Sequence, residues 1–251
     1  MRSCWLVEPQ ASPAVSDWTM TNAISGTSLV LVGAAAGAVT VAMAAGRREK
    51  TLPQLAVWRR ELAKTRGNFE AARLVGLTQA RYDELFASRP RFSTRAVQGH
   101  LEHRILPVLS LYQTLLAEAP TRQTALAETI GLVKASAVRT RRLFALLSKT
   151  PDPYGVFRSL AKPLMRAAFP EEGWHIEWLE DSDDRIAFDI RDRCPYRDTY
   201  SALGAPELAP QHCTMDDWVY EPVSQWIRFE RTGTLAQGCD RCDFQFIRVR
   251  N

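Results

Sequence analysis

The chain has 251 residues and a formal charge of +4, and 46% of its residues are hydrophobic and 24% charged. This composition is typical of a globular protein and excludes a chain that is disordered throughout. Five cysteines are too few, and odd in number, for a disulfide scaffold, and four histidines leave little room for a multi-histidine metal centre.

The charge is unevenly distributed along the chain. Residues 46–170 carry 22 Lys and Arg against 9 acidic residues, whereas residues 171–251 carry 9 against 17. A basic region of this kind can bind nucleic acid, lie on an anionic membrane or dock against the acidic region of its own chain. Because no helix-turn-helix, zinc-finger or aromatic RNA-binding signature accompanies the basic residues, we expect no nucleic-acid partner.

The N-terminal part predicts a membrane anchor. Residues 1–26 read as a disordered tail, and Thr27–Ala45 is a run of 19 residues without a charge, close to the length that spans a bilayer. Three basic residues follow at positions 47, 48 and 50, so the positive-inside rule predicts a single-pass protein with its bulk in the cytoplasm. A cleaved signal peptide and a buried Ala-rich helix are the alternatives, and small residues in the run would also allow a homo-oligomer.

Residues 52–169 are predicted to form a basic helical region, because apolar residues recur at helical spacing almost throughout. Asn68 and Thr121 are predicted helix caps, and Pro107 should kink or split a long helix that begins near Ser93. The helix that begins at Thr121 is expected to continue to Leu147.

Residues 170–251 are predicted to form an acidic α+β region. Four segments alternate between apolar and polar residues and therefore read as strands, with helical or irregular chain between the second and the third. These segments lie at 174–179, 186–190, 225–231 and 243–249. The expected fold is α+β, a helical bundle followed by a small antiparallel sheet with inserted helices.

Four of the five cysteines fall in this acidic region. Cys239 and Cys242 form a C-x-x-C step, and with Cys194 and Cys213 they supply four thiolates, the ligand set of a tetrahedral zinc site. Zinc is therefore a candidate cofactor, although the alternative, that these are small buried residues, stays open. No thioredoxin-like pattern surrounds the step, which argues against a redox pair.

Several short motifs in this region resemble one known family. They are Cys194-Pro195-Tyr196, Gly204-Ala205-Pro206-Glu207-Leu208, Cys213 followed by Asp216, Arg231-Thr232-Gly233-Thr234-Leu235-Ala236-Gln237-Gly238 and Cys242-Asp243-Phe244-Gln245-Phe246. Over roughly residues 174–247 the chain resembles the L-2-amino-thiazoline-4-carboxylic acid hydrolases. Its ending is also similar to that of the vinyl-4-reductase-like sensory domains.

The resemblance implies hydrolysis of a cyclic C=N bond in a small amino-thiazoline carboxylate, which opens the ring to a carbamoyl-cysteine. It implies that a thiolate adds to the ring carbon or that a metal or carboxylate activates water. The catalytic candidates are Cys194, Cys213, Cys242, Asp216 and Asp243. Arg231 and His212 are candidates for substrate binding, Arg231 as a clamp on the carboxylate. The alternative function is a non-catalytic sensory module that binds a small ligand or zinc.

Overall fold

The helical region of the computed structural model contains seven α-helices among the residues that the structure describes. The structure describes residues 51–250. The helices are α1 (Leu55–Arg66), α2 (Asn68–Ala87), α3 (Arg95–His100), α4 (Leu106–Glu118), α5 (Arg122–Ser136), α6 (Val138–Leu147) and α7 (Pro153–Ala168). From Leu52 onward the described residues belong to one compact unit.

Two of the predicted helix boundaries differ from the structure. Thr121 caps α5 as expected, since its side chain accepts a hydrogen bond from the Thr124 amide. Asn68 is instead the first residue of α2, because Gly67 with φ of 79° makes the turn that separates α1 from α2. The helix expected from Thr121 to Leu147 breaks at Ala137, which separates α5 from α6.

The predicted split at Pro107 is confirmed, and it takes the form of a π-helical segment, Leu101–Ile105, between α3 and α4. Pro107 has no N–H to give to the carbonyl of His103, four residues earlier. That carbonyl accepts a hydrogen bond from the Gln54 side chain at 2.9 Å instead, and the Glu102 carbonyl accepts one from the Tyr82 hydroxyl at 3.0 Å. Side chains from α2 and the turn before α1 therefore stabilise the irregular turn.

The acidic region forms the predicted antiparallel sheet with inserted helices. Its elements are β1 (His175–Asp181), β2 (Arg185–Arg191), α8 (Pro195–Ala202), α9 (Leu208–Tyr220), β3 (Ile227–Glu230) and β4 (Arg241–Arg248), and the strand order is β1-β2-β4-β3. β1 and β2 form the expected hairpin, and β4 lies between β2 and β3. The α+β prediction is thus confirmed for the described residues.

Two hydrophobic cores hold the molecule together, and both mix the basic and the acidic regions. The first is mainly aliphatic and lies among α1, α2, α4 and α5, with Tyr200 and Leu208 added from α8 and α9. The second lies against the sheet and is rich in aromatic residues, with Val97 and Tyr154 added from the helical region. The two regions that differ in charge therefore fold around shared cores.

Ion pairs also connect the two regions. Examples are Arg158 with Asp181 at 2.7 Å and Lys162 with the same carboxylate at 2.9 Å. Arg122 pairs with Glu207 in the same way. The basic region is thus partly neutralised by the acidic region of its own chain, although half-exposed pairs of this kind add little to stability.

The predicted transmembrane segment at residues 27–45 lies outside the described residues. Among residues 51–250, no helix combines the length and the apolar character that a bilayer crossing requires.

Candidate functional site

One face of α9 carries a run of ionisable and polar side chains. His212, Cys213, Asp216 and Tyr220 follow one another at intervals that place them on neighbouring turns of the same face. Three apolar residues of the same helix, Leu208, Ala209 and Met215, are buried in the first core. Burial of these apolar residues fixes the orientation in which α9 presents its polar face.

Arg231, directly after β3, is fixed against this face. Its Nη1 donates to Asp216 Oδ2 at 2.7 Å, and its Nη2 donates to the Cys213 carbonyl at 3.0 Å. The guanidinium carbon lies 5.4 Å from the ring centre of Phe229 and 5.3 Å from that of Phe244, in cation–π contact with both. Only 9% of the Arg231 side chain is exposed, so its position is determined by its neighbours.

Two free thiols, Cys213 and Cys242, lie within electrostatic reach of this pair, and a third, Cys194, lies within electrostatic reach of both of them. Cys242 is buried on β4, and its sulfur accepts a hydrogen bond from the Leu235 amide at 3.2 Å. Burial raises the pKa of both Cys213 and Cys242 to about 12, and it raises the pKa of Cys194 as well. All three groups are therefore neutral thiols at physiological pH.

Asp216 differs from the thiols because it ionises near neutral pH. Desolvation raises its pKa to about 6, and the nearby Arg231 guanidinium opposes the rise. Its side chain nonetheless keeps 37% of its surface exposed. Asp216 is therefore surrounded by protein and yet partly accessible, and its surroundings, formed by α9, Arg231, Cys213 and Cys242, are here called the recess.

Aromatic side chains form a second wall near this recess. The His212 ring lies 4.5 Å from that of Tyr196, and its Nδ1 is 3.2 Å from the Tyr200 hydroxyl. Burial, together with the positive charge of Arg104, lowers the pKa of His212 to about 4. The imidazole is therefore neutral at physiological pH.

His100 fixes the position of this wall relative to α3. Its Nε2 donates to the Ala168 carbonyl at 2.9 Å, so its Nδ1 must accept the hydrogen bond from the Tyr196 hydroxyl, at 2.8 Å. Both ring nitrogens are thus used by the protein, and burial lowers the pKa of His100 to about 4.

Arg104 extends from the π-helical segment near the same wall. It is exposed and forms no ion pair with any residue of the described part of the chain. Its charge lowers the pKa of both His100 and His212, which places the guanidinium within electrostatic reach of their rings. A cation without an acidic partner in the described part of the chain therefore lies within electrostatic reach of this wall, on an irregular helical turn of a kind often found at functional sites.

Asp243 does not join the predicted constellation. Consecutive residues of a strand point to opposite faces, so Asp243 lies on the other side of the sheet from Cys242. Its Oδ1 accepts hydrogen bonds from the amides of Thr232 and Gly233 at 2.9 and 2.8 Å, and its Oδ2 accepts one from the Thr232 hydroxyl at 2.6 Å. The carboxylate holds the turn that follows Arg231.

The predicted four-thiolate zinc site is also not assembled. Within residues 51–250, no three His, Cys, Asp or Glu side chains lie close enough together to hold a metal ion. Cys242 instead uses its sulfur as an acceptor for a backbone amide. The donor set in this part of the chain does not fit a tetrahedral zinc ion.

Sequence reasoning did not single out several residues of the recess: Arg104, Tyr200 and Tyr220. A signal was present for Tyr220, since it lies four residues after Asp216, just beyond a segment predicted to be helical or irregular. Tyr200 likewise lies four residues after Tyr196. For Arg104 the only signal was its position three residues before the helix-splitting Pro107.

A family model for the L-2-amino-thiazoline-4-carboxylic acid hydrolases matches residues 98–246, more than half of the chain, and the chain therefore belongs to this family. The match extends well into the helical region, beyond the 174–247 of the sequence resemblance. It includes all the recess residues from His100 to Cys242.

No curated protein matches the chain significantly. A crystal structure of an Fe(II) unliganded H-NOX protein from K. algicida aligns with 79% of this chain and 96% of its own at 12% identity. The TM-score of 0.33 is too low to establish a shared fold.

Proposed function

We propose that this member of the L-2-amino-thiazoline-4-carboxylic acid hydrolase family hydrolyses a small cyclic substrate with a C=N bond and a carboxylate, with Asp216 as the general base. One observation carries the proposal: Asp216 has a pKa of about 6, is held by Arg231 and keeps 37% of its side chain exposed. A base of this pKa is largely ionised at physiological pH and still takes up a proton readily.

Water is the nucleophile that this arrangement favours. Attack by Cys213 or Cys242 would first require ionisation of a thiol whose pKa burial has raised to about 12. No positive group lowers these pKa values enough to offset burial, although Arg231 acts in that direction. The thiols then serve to shape and desolvate the recess, and this desolvation sustains the raised pKa of Asp216.

The reaction balances with water as the sole co-substrate. Water oxygen bonds to the ring carbon of the C=N group, and one water proton passes to Asp216 and then to the ring nitrogen. The tetrahedral carbon next forms a C=O bond as its bond to a ring heteroatom breaks. The hydroxyl proton passes through Asp216 to that heteroatom, which gives a carbamoyl-cysteine and returns Asp216 to its ionised form.

Arg231 and Arg104 take different roles in this proposal. Arg231 was predicted to clamp the substrate carboxylate, but its hydrogen bonds to Asp216 and Cys213 make it a positioning residue for the base. Arg104 has no acidic partner among the described residues, and its charge acts on His212. We therefore assign the binding of the substrate carboxylate to Arg104, since a guanidinium binds a carboxylate with two hydrogen bonds.

The decisive experiment compares Asp216→Asn with Asp217→Asn in the full chain. Both changes remove one carboxylate beside Arg231, but the Asp217 side chain is 63% exposed. With L-2-amino-thiazoline-4-carboxylate as the substrate and the carbamoyl product quantified by chromatography, Asp216→Asn should lower kcat by about 100-fold or more. Asp217→Asn should stay close to the wild type, and equal loss in both variants would contradict the assignment of the base.

Cys213→Ala separates the two chemical routes. If water attacks directly, the variant keeps most of the activity and mass spectrometry finds no carbamoyl group on the protein. A covalent adduct on a thiol, together with a loss as large as that of Asp216→Asn, would replace this mechanism by the thiolate route. A wild-type chain that binds the substrate without turnover would favour the sensory function instead.

The role of Arg104 is tested by Arg104→Gln against Arg95→Gln, another exposed arginine without an ion pair in the described part of the chain. Loss of the carboxylate contact should raise KM by about 10- to 100-fold and change kcat little. The control should leave both constants unchanged. An unchanged KM in Arg104→Gln would remove Arg104 from substrate binding.

A further inference from the structure

Two consecutive helices expose apolar side chains that nothing in the described chain covers. On α7, Val156, Leu160 and Leu164 follow one another at intervals of four residues and are 37%, 49% and 61% exposed. On α6, Leu143 and Leu146 are 65% and 59% exposed. These five residues, here called the α6–α7 face, form apolar stripes of the kind that usually turns inward.

Both helices contact the second core with one side, so the exposed leucines are not a consequence of frayed ends. α6 packs against the second core through Phe144 and Leu147. α7 packs against the same core with its other side, and Ala161 is buried there. Asp152 caps α7 by accepting a hydrogen bond from the Gly155 amide at 3.0 Å. Both helices thus have an inner apolar side and a second, outer one.

The α6–α7 face is flanked by positive charges without counter-ions. Four exposed basic residues form no ion pair with any other residue in the 51–250 range: Arg139, Arg142, Lys149 and Arg166. The basic residues of α7 nearer to the sheet differ, since Arg158 and Lys162 both pair with Asp181. On α6 and α7, the basic residues that pair with acids are therefore those that reach the acidic region, whereas Arg139, Arg142 and Arg166 stay unpaired.

The combination of exposed aliphatic side chains and unpaired cations favours one kind of partner for the α6–α7 face. A second copy of the chain would bring like charges together, and this is unfavourable where the cations have no acidic partners. Nucleic acid would match the charges but would gain nothing from five exposed aliphatic residues. An anionic bilayer matches both features, because leucines enter the acyl boundary while Arg and Lys contact the headgroups.

We propose that the α6–α7 face lies on an anionic membrane surface, with its leucines and valine in the interface and the four unpaired cations on the headgroups. The contact is peripheral and does not depend on the function of the recess. It is also separate from the segment at residues 27–45 that the sequence predicts to be an anchor. If that segment does span a bilayer, the face would orient the rest of the chain against the same surface.

The test measures co-sedimentation of the full chain with vesicles of phosphatidylcholine alone or with about a third phosphatidylserine. Leu160→Ser/Leu164→Ser should lower the partition coefficient about tenfold or more on anionic vesicles, since each leucine loses its transfer into the apolar layer. Arg139→Gln/Arg142→Gln/Lys149→Gln should lower it by about fivefold per charge on anionic vesicles only. Higher salt should weaken the binding of the wild type and reduce the difference in partition between the wild type and the triple charge variant.

The control triple variant is Arg59→Gln/Arg91→Gln/Arg95→Gln, which removes three other exposed and unpaired cations and changes the net charge equally. It should bind the vesicles like the wild type. Equal partition of all variants would overturn the proposal, even if the chain is membrane-bound through its N-terminal part. So would unchanged vesicle binding combined with lost binding to an acidic polypeptide, which would make the partner a protein. Unchanged thermal unfolding of the variants confirms that they are folded.

Discussion

The aliphatic core of the helical region and the recess beside α9 differ in where their polar side chains find hydrogen-bond partners. In the first core the buried hydroxyls of Thr78, Thr114 and Thr129 donate to backbone carbonyls four residues earlier in their own helices. In the recess, hydrogen bonds join distant parts of the chain, as between His100 and Tyr196 or between Arg231 and Asp216.

This difference shows which region is able to carry chemistry. A buried hydroxyl that donates its hydrogen inside its own helix has no donor left for a ligand. Asp216 and His212 keep exposed surface and have pKa values shifted by desolvation, to about 6 and about 4. Shifted pKa values in an accessible recess are typical of functional sites, whereas the first core contributes stability.

The largest expected effect is a loss of stability when the first core is changed. Leu109→Ala removes a fully buried side chain of α4 and should lower the free energy of unfolding by about 2–5 kcal/mol. Thermal unfolding measures the loss, with Leu77→Ala, 45% exposed, as the control. Activity per folded molecule should be retained. A loss of kcat in folded Leu109→Ala would show that the first core acts on the chemistry.

The next effect concerns the hydrogen bonds that join the elements of the recess. Tyr196→Phe leaves the Nδ1 of His100 without its donor and should cost about 1–3 kcal/mol of unfolding free energy. Thr129→Val is the matched change in the first core, and we expect it to stay within about 0.5 kcal/mol, because the carbonyl that loses the hydroxyl keeps its helical partner. Equal costs in chemical denaturation would contradict the contrast between the two regions.

The pH dependence of activity sharpens the role of Asp216. The general base works in its ionised form, and desolvation has raised its pKa from 3.8 to about 6. Activity should therefore be complete above pH 7 and fall about tenfold per unit below pH 6, which corresponds to about 1.4 kcal/mol per unit. A carboxylate with an ordinary pKa would keep full activity to about pH 5. Such a profile of kcat/KM would reject Asp216 as the base.

The smallest expected loss of stability is that of an Asp243 variant, and it distinguishes a structural from a catalytic role of this residue. Asp243→Asn removes part of the hydrogen bonding to the Thr232–Gly233 turn, and we expect a loss of about 1 kcal/mol of stability. Asp240→Asn is the control, since that side chain is 76% exposed. A large fall in kcat with an unchanged melting temperature would return Asp243 to the catalytic candidates.

Some expectations could be read from the sequence because they depend on neighbouring residues. The alternation in β1 and β2, the cap at Thr121 and the split at Pro107 all follow from local periodicity or from the chemistry of one residue. The short motifs also identified the family correctly, and the family match extends further than those motifs. The helix break at Ala137 had no comparable local signal.

The candidate site was predicted less completely for a physical reason. The family resemblance implied catalytic roles for both Cys242 and Asp243, but the pleat of a strand separates them onto two faces. The motifs gave Arg231 as a clamp for the substrate, whereas its partners come from α9, 15 to 18 residues away in sequence. Which side chains come together in the candidate site depends on contacts between residues that are distant in sequence, and no local pattern encodes them.

The sequence by itself determined the helical and strand segments, the contrast in charge between the two regions and the family. These properties are carried by residue type and spacing, which act over one or two turns of chain. Only the tertiary structure decided that Asp216 is desolvated beside Arg231, that Arg104 lies near the recess and that α6 and α7 keep an apolar outer side. Desolvation, ion pairing and exposure are properties of the packed chain, because each depends on residues that folding brings together from distant positions.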